Sequence, residues 1–366
     1  MLKKLETAGR KLLSRAVLSH FGSEKVYQRI PENVKLKRIL IMRWDAIGDM
    51  VVCLPLFRKI RDLFPEAEVG IVVSKRNIQL LKYEDGFHTI LYDSSPSIYL
   101  KSIIEAIRFR PDAVVDTRMH YDSTTSFIYG VVSGAEWRLS ASNRDNRLPF
   151  SVRVPMPPGR HHYADLTKIL LEGLGKNIDE SELDRKIRLS SEEIGFADAF
   201  WREKGLELRG KAIGINISTR DPRHLWGESK IKELCSRLNS SGHVPILMST
   251  PPEHMKAIHI ASSSPGTLVV PVCPTILHAT ALLKGFRIFI TPDTGIVHVA
   301  ASQGVPVVGL YCPNESHLPL WYPLQVPYEI ISAPYSVEEI EAGDVQEAVE
   351  RLLEKVGVES RLCWEF

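Results

Sequence analysis

The stretch FRIFITPDTGIVHVAASQGVPVVGLY, Phe286 to Tyr311, leaves a chain little freedom in what it can fold into. Phe286 to Ile290 is apolar and β-branched, which suits a strand buried on both faces. Thr291-Pro292 is expected to break the ladder, because proline fixes its φ and has no N–H to donate. Asp293 and Thr294 are good N-cap types, and Gly295 leaves the backbone bare where a helix would start. Ile296 to Ser302 supplies one or two helical turns, Gln303-Gly304 ends them, and Val305 to Leu310 makes another buried strand. A β-α-β unit of this kind aims unpaired backbone N–H groups at the mouth of a sheet, where a phosphate can sit. His298, one turn into the helix, is placed to add a ring donor to that anion. An ordinary capped crossover helix satisfies the same spacing.

The alternation extends along the chain. Arg38 to Met42 (RILIM) reads as the first buried strand, followed by a loop through Gly48 and a helix from about Met50 to Phe64. Pro55 inside that helix predicts a kink unless it lies near the first turn. Further strands are expected at Glu68–Val73, His88–Tyr92, Asp112–Val115, Lys211–Ile217, Val244–Met248, Thr267–Val270 and Tyr328–Ile331. Strands alternating with helices indicate parallel, doubly wound α/β sheets, and 366 residues suffice for two such domains. Gly22 to Lys35 reads as a connector, Arg144 to Arg160 as a proline- and arginine-rich surface loop, and Gly175 to Leu189 as an interdomain passage. Val337 to Val356 reads as a closing helix interrupted near Gly343.

Charge is unevenly spread. The whole chain carries +2, whereas Met1 to Leu40 holds ten Lys and Arg against three Asp and Glu, a net +7 that leaves −5 for the rest. A basic front on an acidic body suits an anionic surface at that end, with no nucleic acid as partner. In Met1 to Phe21, Leu2, Leu5, Leu12, Leu13, Ala16 and Val17 share one side of a helix whose remainder carries Lys3, Lys4, Arg10, Lys11 and Arg15. That is the composition of an interfacial helix on anionic lipid, and equally of a solvated helix docked on the body. No apolar run approaches the roughly 18 residues of a membrane span, and the N-terminus lacks the apolar core of a signal peptide. Five scattered cysteines, none in a C-x-x-C, fit neither a disulfide framework nor a zinc site and point to a reducing cytoplasm.

The first strand-to-helix turn holds Arg43, Trp44, Asp45, Gly48 and Asp49. A dinucleotide fold would place G-x-G-x-x-G here, and only Gly48 is present; a Walker lysine motif is also missing. Asp49 reads either as an N-cap or as a carboxylate at the carboxyl end of a strand, facing a cleft where it can serve as general base. Asp116, Arg118, His120, Ser123 and Thr124 follow the fourth strand and could bind acceptor sugars or phosphates, or simply solvate a loop. There is no D-x-D pair. His254 and His259 do not share a helical face, so no metal site and no cofactor are expected. Tyr121, Trp137, Trp226 and Trp321 could stack on sugar, although an aromatic is more often core.

ILIMRWDAIGDMVVCLPLFRKIRDLFPEAEV resembles the opening signature of glycosyltransferase family 9, the lipopolysaccharide heptosyltransferases, and TPDTGIVHVAASQGVPVVGLY resembles their nucleotide-sugar signature. Between them, HHYADLTKILLEGLG and INISTRDPRHLWGESKIKELCSRL are similar to the family's domain-closing helix and to the stretch that opens its second domain. The resemblance runs from about Lys37 to Glu354 in the same order. It implies a GT-B fold of two facing Rossmann-like domains with the active site in the cleft. A basic extension over 1–36 would precede an acceptor domain over 37–185 and a nucleotide-sugar domain over 186–366, whose last helix can return to the first domain. It also implies metal-independent transfer of a heptose, with inversion, from an ADP-activated donor such as ADP-heptose to a lipid-linked core saccharide.

Matched by position, Asp49 falls on the family's general base, and Asp293, Thr294, Gly295 and His298 fall on donor pyrophosphate and sugar contacts. Arg223 stands where many members carry lysine; a guanidinium also holds phosphate, with a different geometry. Ser218 and Thr219 would offer hydroxyls to the same phosphates, and Glu253 matches an acidic residue on the nucleotide ribose. Arg118, His120 and Ser123 are the acceptor-side candidates. The family usually begins at its first strand, so the extension ahead of Lys37 is a departure. It suits a peripheral anchor on the inner face of the cytoplasmic membrane through residues 1–21, while loosening the inference to the acceptor. Relatives that use other nucleotide sugars or protein acceptors, a nucleotide-sugar epimerase of the same architecture, and a silent sugar-nucleotide-binding scaffold remain as alternatives.

Overall fold

The computed structural model describes residues 26–118, 124–141, 150–156, 162–312 and 320–362. Residues 1–21, His120, Tyr121 and Ser123 lie outside the described residues, as does most of the Arg144–Arg160 segment. The chain divides into two compact units, Met1–Arg185 and Lys186–Phe366.

In the first unit the order is β1 (Arg38–Met42), α1 (Ile47–Leu63), β2 (Glu68–Ser74), β3 (Phe87–Tyr92), α2 (Pro96–Phe109), β4 (Ala113–Asp116), α3 (Thr124–Val132), β5 (Trp137–Ala141), β6 (Val152–Val154) and α4 (Leu166–Gly173). All six strands pair in parallel in the order β3-β2-β1-β4-β5-β6. Strands buried on both faces are built from apolar runs, as Ile39–Met42 of β1 and Ala113–Val115 of β4 are. Leu40, Met42, Val72, Ile90 and Val114 meet Ala106, Phe109 and Tyr129 from α2 and α3 in one core.

The second unit runs α5 (Ser191–Lys204), β7 (Ala212–Asn216), α6 (Glu228–Ser240), β8 (Val244–Met248), α7 (His254–Ser262), β9 (Leu268–Val269), α8 (Ile276–Leu283), β10 (Ile288–Pro292), α9 (Ile296–Ser302), β11 (Val307–Tyr311), β12 (Tyr328–Ser332) and α10 (Ala342–Leu362). Its sheet order is β12-β11-β10-β7-β8-β9, so each unit repeats one winding. The first three strands run outward in one direction, then the chain crosses back and builds in the other. In each sheet the reversal falls between two central strands, β1 and β4 or β7 and β10. Outside their carboxyl ends a crevice opens. Residues of β7, β10 and β11 share a core with α6 and α10.

Several expectations change. Pro292 does not break β10 but is its last residue, in register with Leu310. The N–H groups of Phe289 and Asp293 bond β11, so the N–H that proline lacks would face β7, whose pairing with β10 already ends at Ile290. Neither Asp293 nor Thr294 caps α9; the N-cap is Gly295, without a side-chain hydrogen bond. α1 starts at Ile47, so Asp49 is its third residue and not its cap. The helix continues through Pro55, leaving the Val51 carbonyl without its usual donor. β5 and β6 occupy a region in which the sequence suggests no strand. The connector is anchored as well: Tyr27 bridges to Val152, and the Ile30 N–H bonds the Gly173 carbonyl at 2.8 Å. The closing helical region is interrupted near Gly343 as expected: a 3-10 turn over Val337–Glu339 gives way to extended backbone at Ile340, and α10 starts afresh at Ala342. α10 packs on α6, β11 and β12 of its own unit.

Candidate active site

In the first unit, the chain leaving β1 crosses the reversal point and enters α1 at Ala46, which has no side-chain acceptor for the helix's first N–H groups. Asp49 turns back instead, and its Oδ2 accepts the Ala46 N–H at 3.1 Å. Arg43, 1% exposed, lies beneath: its Nε donates to the Asp49 carbonyl at 3.1 Å, Nη1 to Asp45 Oδ2 at 3.4 Å, and Nη2 stands 3.7 Å from Asp49 Oδ1. Nη2 has no hydrogen-bond partner and serves Asp49 as a nearby charge only. The guanidinium also lies 4.9 Å over the Tyr163 ring, whose hydroxyl donates to the Thr117 carbonyl.

The opposite wall comes from β4. Arg118 grips Asp45 with Nε at 3.0 Å and Nη2 at 2.5 Å, and its guanidinium covers the Trp44 ring at 4.4 Å. Asn77, fully buried after β2, donates Nδ2 to the carbonyls of Arg43 and Asp45 at 3.0 and 3.4 Å, fixing the turn from below. Burial raises the Asp49 proton affinity above the usual aspartate value; the Arg43 charge opposes this, and Asp45 adds to it. Asp116, 2% exposed, is pushed by burial up to about 6 against the opposing charge of Arg118. A carboxylate that is reluctant to ionise, yet has a side chain 21% exposed, can both hold a proton and meet a ligand.

In the second unit, Asn216 ends β7 and donates to the Ser218 carbonyl and to Thr291 Oγ1, each at 3.0 Å, tying the loops after β7 and β10 together. Ser218 Oγ accepts the Thr250 N–H at 2.8 Å, and Thr250 Oγ1 donates to Glu253 Oε2 at 3.2 Å, which brings in the loop after β8. Thr294 Oγ1 approaches Thr291 Oγ1 at 3.4 Å. Asp293, Thr294 and Gly295 are half-buried at the crevice, and His298 lies edge-on to Trp321 with ring centroids 5.6 Å apart. Ser218, Thr219, Glu253, Asp293, Thr294, Gly295 and His298 are thus all carried by loops or first turns at the carboxyl end of the second sheet. Arg223 is exposed and engaged elsewhere: Asp221 holds its Nη2 at 2.6 Å and its Nε at 3.1 Å, and that contact sets the Asp221 carboxyl at about 2. Among the tryptophans, Trp137 and Trp226 are core, with Trp226 Nε1 donating to the Ile340 carbonyl at 3.0 Å.

The sequence placed Arg43 in the first turn without a role and did not single out Asn77, Tyr163 or Asp221. Arg43 and Asp221 flank the motif residues directly, so adjacency was a usable signal for them. Asn77 and Tyr163 reach the site only through folding. Among the described residues no three His, Cys, Asp or Glu side chains group so as to hold a metal ion, and no helix is long and apolar enough to cross a membrane.

Residues 131–348 match the family model described as glycosyltransferase family 9 (heptosyltransferase). The chain is 23% identical over 288 residues to the lipopolysaccharide core heptosyltransferase OpsX of Haemophilus influenzae, covering 75% of this chain and 79% of that one. It is 23% identical over 299 residues to the lipopolysaccharide heptosyltransferase 1 of Escherichia coli, covering 77% and 89%. Among solved structures, the glycosyl transferase family 9 protein of Veillonella parvula superposes with a TM-score of 0.72 at 20% identity, over 91% of this chain and 99% of that one. The E. coli heptosyltransferase WaaC with ADP-2-deoxy-2-fluoro heptose gives 0.64 at 19% identity, over 86% and 99%.

Proposed function

The chain belongs to glycosyltransferase family 9, a glycosyltransferase with two Rossmann-like domains of the GT-B class, and from that premise we propose that it moves a heptose from ADP-heptose to a hydroxyl of a lipopolysaccharide core acceptor. The observation that carries this reading is Asp49, a carboxylate at the reversal point of the first sheet whose proton affinity burial raises. In the proposed reaction Asp49 takes the proton of the acceptor hydroxyl as that oxygen attacks the anomeric carbon from the face opposite the nucleotide. The configuration inverts, and ADP leaves. A base with a raised pKa is the better proton acceptor near neutral pH.

The leaving diphosphate gathers negative charge. Backbone N–H groups around Thr294 and Gly295, the His298 ring and the Ser218 and Thr219 hydroxyls would meet it. Arg223 would join by exchanging Asp221 for phosphate, to which a guanidinium binds in the same forked geometry. Glu253 is assigned to the ribose and Arg118 to acceptor sugars, with His120 and Ser123 beside it in sequence. No step calls on a metal ion.

The reading is tested by assaying ADP-heptose turnover with a lipid-linked core acceptor, for the wild type and for Asp49→Asn. Loss of a base of this kind costs roughly 10²–10⁴ in rate. The variant should lose that much turnover yet keep the thermal stabilisation that ADP-heptose confers on the wild type. Undiminished turnover would remove Asp49 from its role, and product formed from donor alone would replace the transferase reading by an epimerase.

A further inference from the structure

α2 is apolar on both sides. Ser102, Ala106 and Phe109 face the sheet and are buried, as a crossover helix requires. On the opposite side Leu100, Ile104 and Ile107 follow at intervals of four and three residues, one stripe along the outer surface, exposed by 60%, 40% and 44%. Isolated exposed aliphatics are ordinary, whereas a stripe aligned on one helix is a surface awaiting a partner. Its margin carries exposed Lys101, Arg108 and Arg110; the one acid within the helix, Glu105, stands 3.8 Å from Lys101.

We propose that this outer face of α2 is a docking surface for an anionic lipid bilayer. Branched aliphatics along one line with cations at the margin form the pattern of a helix lying in a membrane interface, the aliphatics among the acyl chains and the cations among the headgroups. Charge excludes one other occupant and contact area a second. The basic residues 1–21 of the same chain would meet Lys101, Arg108 and Arg110 with like charge, whereas both would be drawn to the same anionic surface. A second copy of the chain would find three aliphatic side chains, far short of the roughly 1,200 Å² that a stable dimer buries. α2 runs from the carboxyl end of the sheet, where Asp49 lies, back to its amino end. Leu100 therefore lies toward the crevice end of the sheet and Ile107, with Arg108 and Arg110, toward the other, so a bilayer on this face runs along the side of the acceptor unit; the purpose of the surface, though not its chemistry, rests on the preceding section's lipid-linked acceptor.

The test is co-sedimentation of the full-length protein with vesicles of phosphatidylcholine mixed with phosphatidylglycerol, against phosphatidylcholine alone. These vesicles hold neither acceptor nor donor, so the outcome is independent of the transfer reaction. The wild type should bind the anionic vesicles selectively. The triple variant Leu100→Ser/Ile104→Ser/Ile107→Ser should partition roughly tenfold or more weakly, since three aliphatic insertions are lost. Lys101→Glu/Arg108→Glu, at two exposed positions, should lose a similar factor and supplies the answer if the triple variant fails to fold. The control Met255→Ser, on an exposed residue of the second unit, should bind as the wild type does. Binding unchanged in both α2 variants overturns the proposal and leaves membrane contact to residues 1–21. A wild-type dimer that the triple variant dissolves overturns it in favour of a second copy.

Discussion

Asp49, in the first turn of α1, and Asp116, the last residue of β4, both lie at the carboxyl end of the first sheet, and burial raises the proton affinity of both, with different consequences. For Asp49 the largest opposing influence is the Arg43 charge. Arg43→Met removes that charge, so the carboxyl should become still harder to ionise. The acid limb of the kcat/KM profile then moves to higher pH, with turnover near neutrality falling, while Arg43→Lys restores the limb toward its wild-type position. A purely structural arginine would lower the unfolding midpoint and leave the limb in place. For Asp116 the folded value of about 6 lies above the ordinary 3.8, so the native state binds the extra proton. The contribution of Asp116 to stability is therefore fully present below about 4 and is lost as pH rises through 6. Asp116→Asn cannot ionise and keeps an oxygen for the Arg118 N–H that Asp116 now accepts at 3.1 Å. In urea unfolding it should remove this dependence and gain at most about 3 kcal/mol above pH 6, since a tenfold change in an acid's ionisation constant corresponds to about 1.4 kcal/mol. The sequence showed Asp49 because a carboxylate at a strand-to-helix turn is a recognisable pattern. It did not mark Arg43 as its partner, because that role comes from being buried beside a carboxylate and no residue spacing records burial.

At the scale of elements, legibility followed the source of each strand's stability. β1, β7, β8 and β11 are continuous apolar runs because helices cover both their faces, and such runs are visible without a structure. β5 carries Arg138, β6 carries Arg153 and lies inside the proline- and arginine-rich segment 144–160, and both become strands through pairing with β4 and with each other. That information is tertiary. Glycines show the same division. Gly214 lies within β7, and a Cβ there would come within 2.5 Å of the Phe286 ring and 2.8 Å of Phe289, two rings stacked 5.9 Å apart. Gly214→Ala should destabilise the second unit by about 1–3 kcal/mol through overpacking. Gly343, in the first turn of α10, has open space around it, so Gly343→Ala should be neutral or stabilising by up to about 1 kcal/mol. Thermal unfolding of the two variants should therefore move in opposite directions from an identical chemical change.

At the scale of the molecule, one strand order is built twice from sequences that show no repeat. The order follows from right-handed crossovers and from covering both faces of a parallel sheet, which many sequences satisfy. The reversal point then gathers Arg43, Asp49 and Arg118 in one unit and Ser218, Asp293 and His298 in the other, so each site inherits its place from the topology. Each unit also has its own core, Leu40 to Ala135 in the first and Ile213 to Leu352 in the second. A chain of this kind need not unfold in a single step. ADP, whose proposed contacts all lie in Lys186–Phe366, should stabilise that unit selectively. At about 100 times its dissociation constant a ligand adds roughly 2.7 kcal/mol, which for a domain of this size raises the midpoint by about 5–10 °C. Scanning calorimetry with and without ADP, read beside hydrogen exchange in the loops after β7, β8 and β10, separates the cases. Selective protection of those loops with an upward shift of one transition supports the nucleotide assignment. Protection confined to the loops after β1 and β4 would move the nucleotide to the first unit and reverse the assignment of donor and acceptor domains.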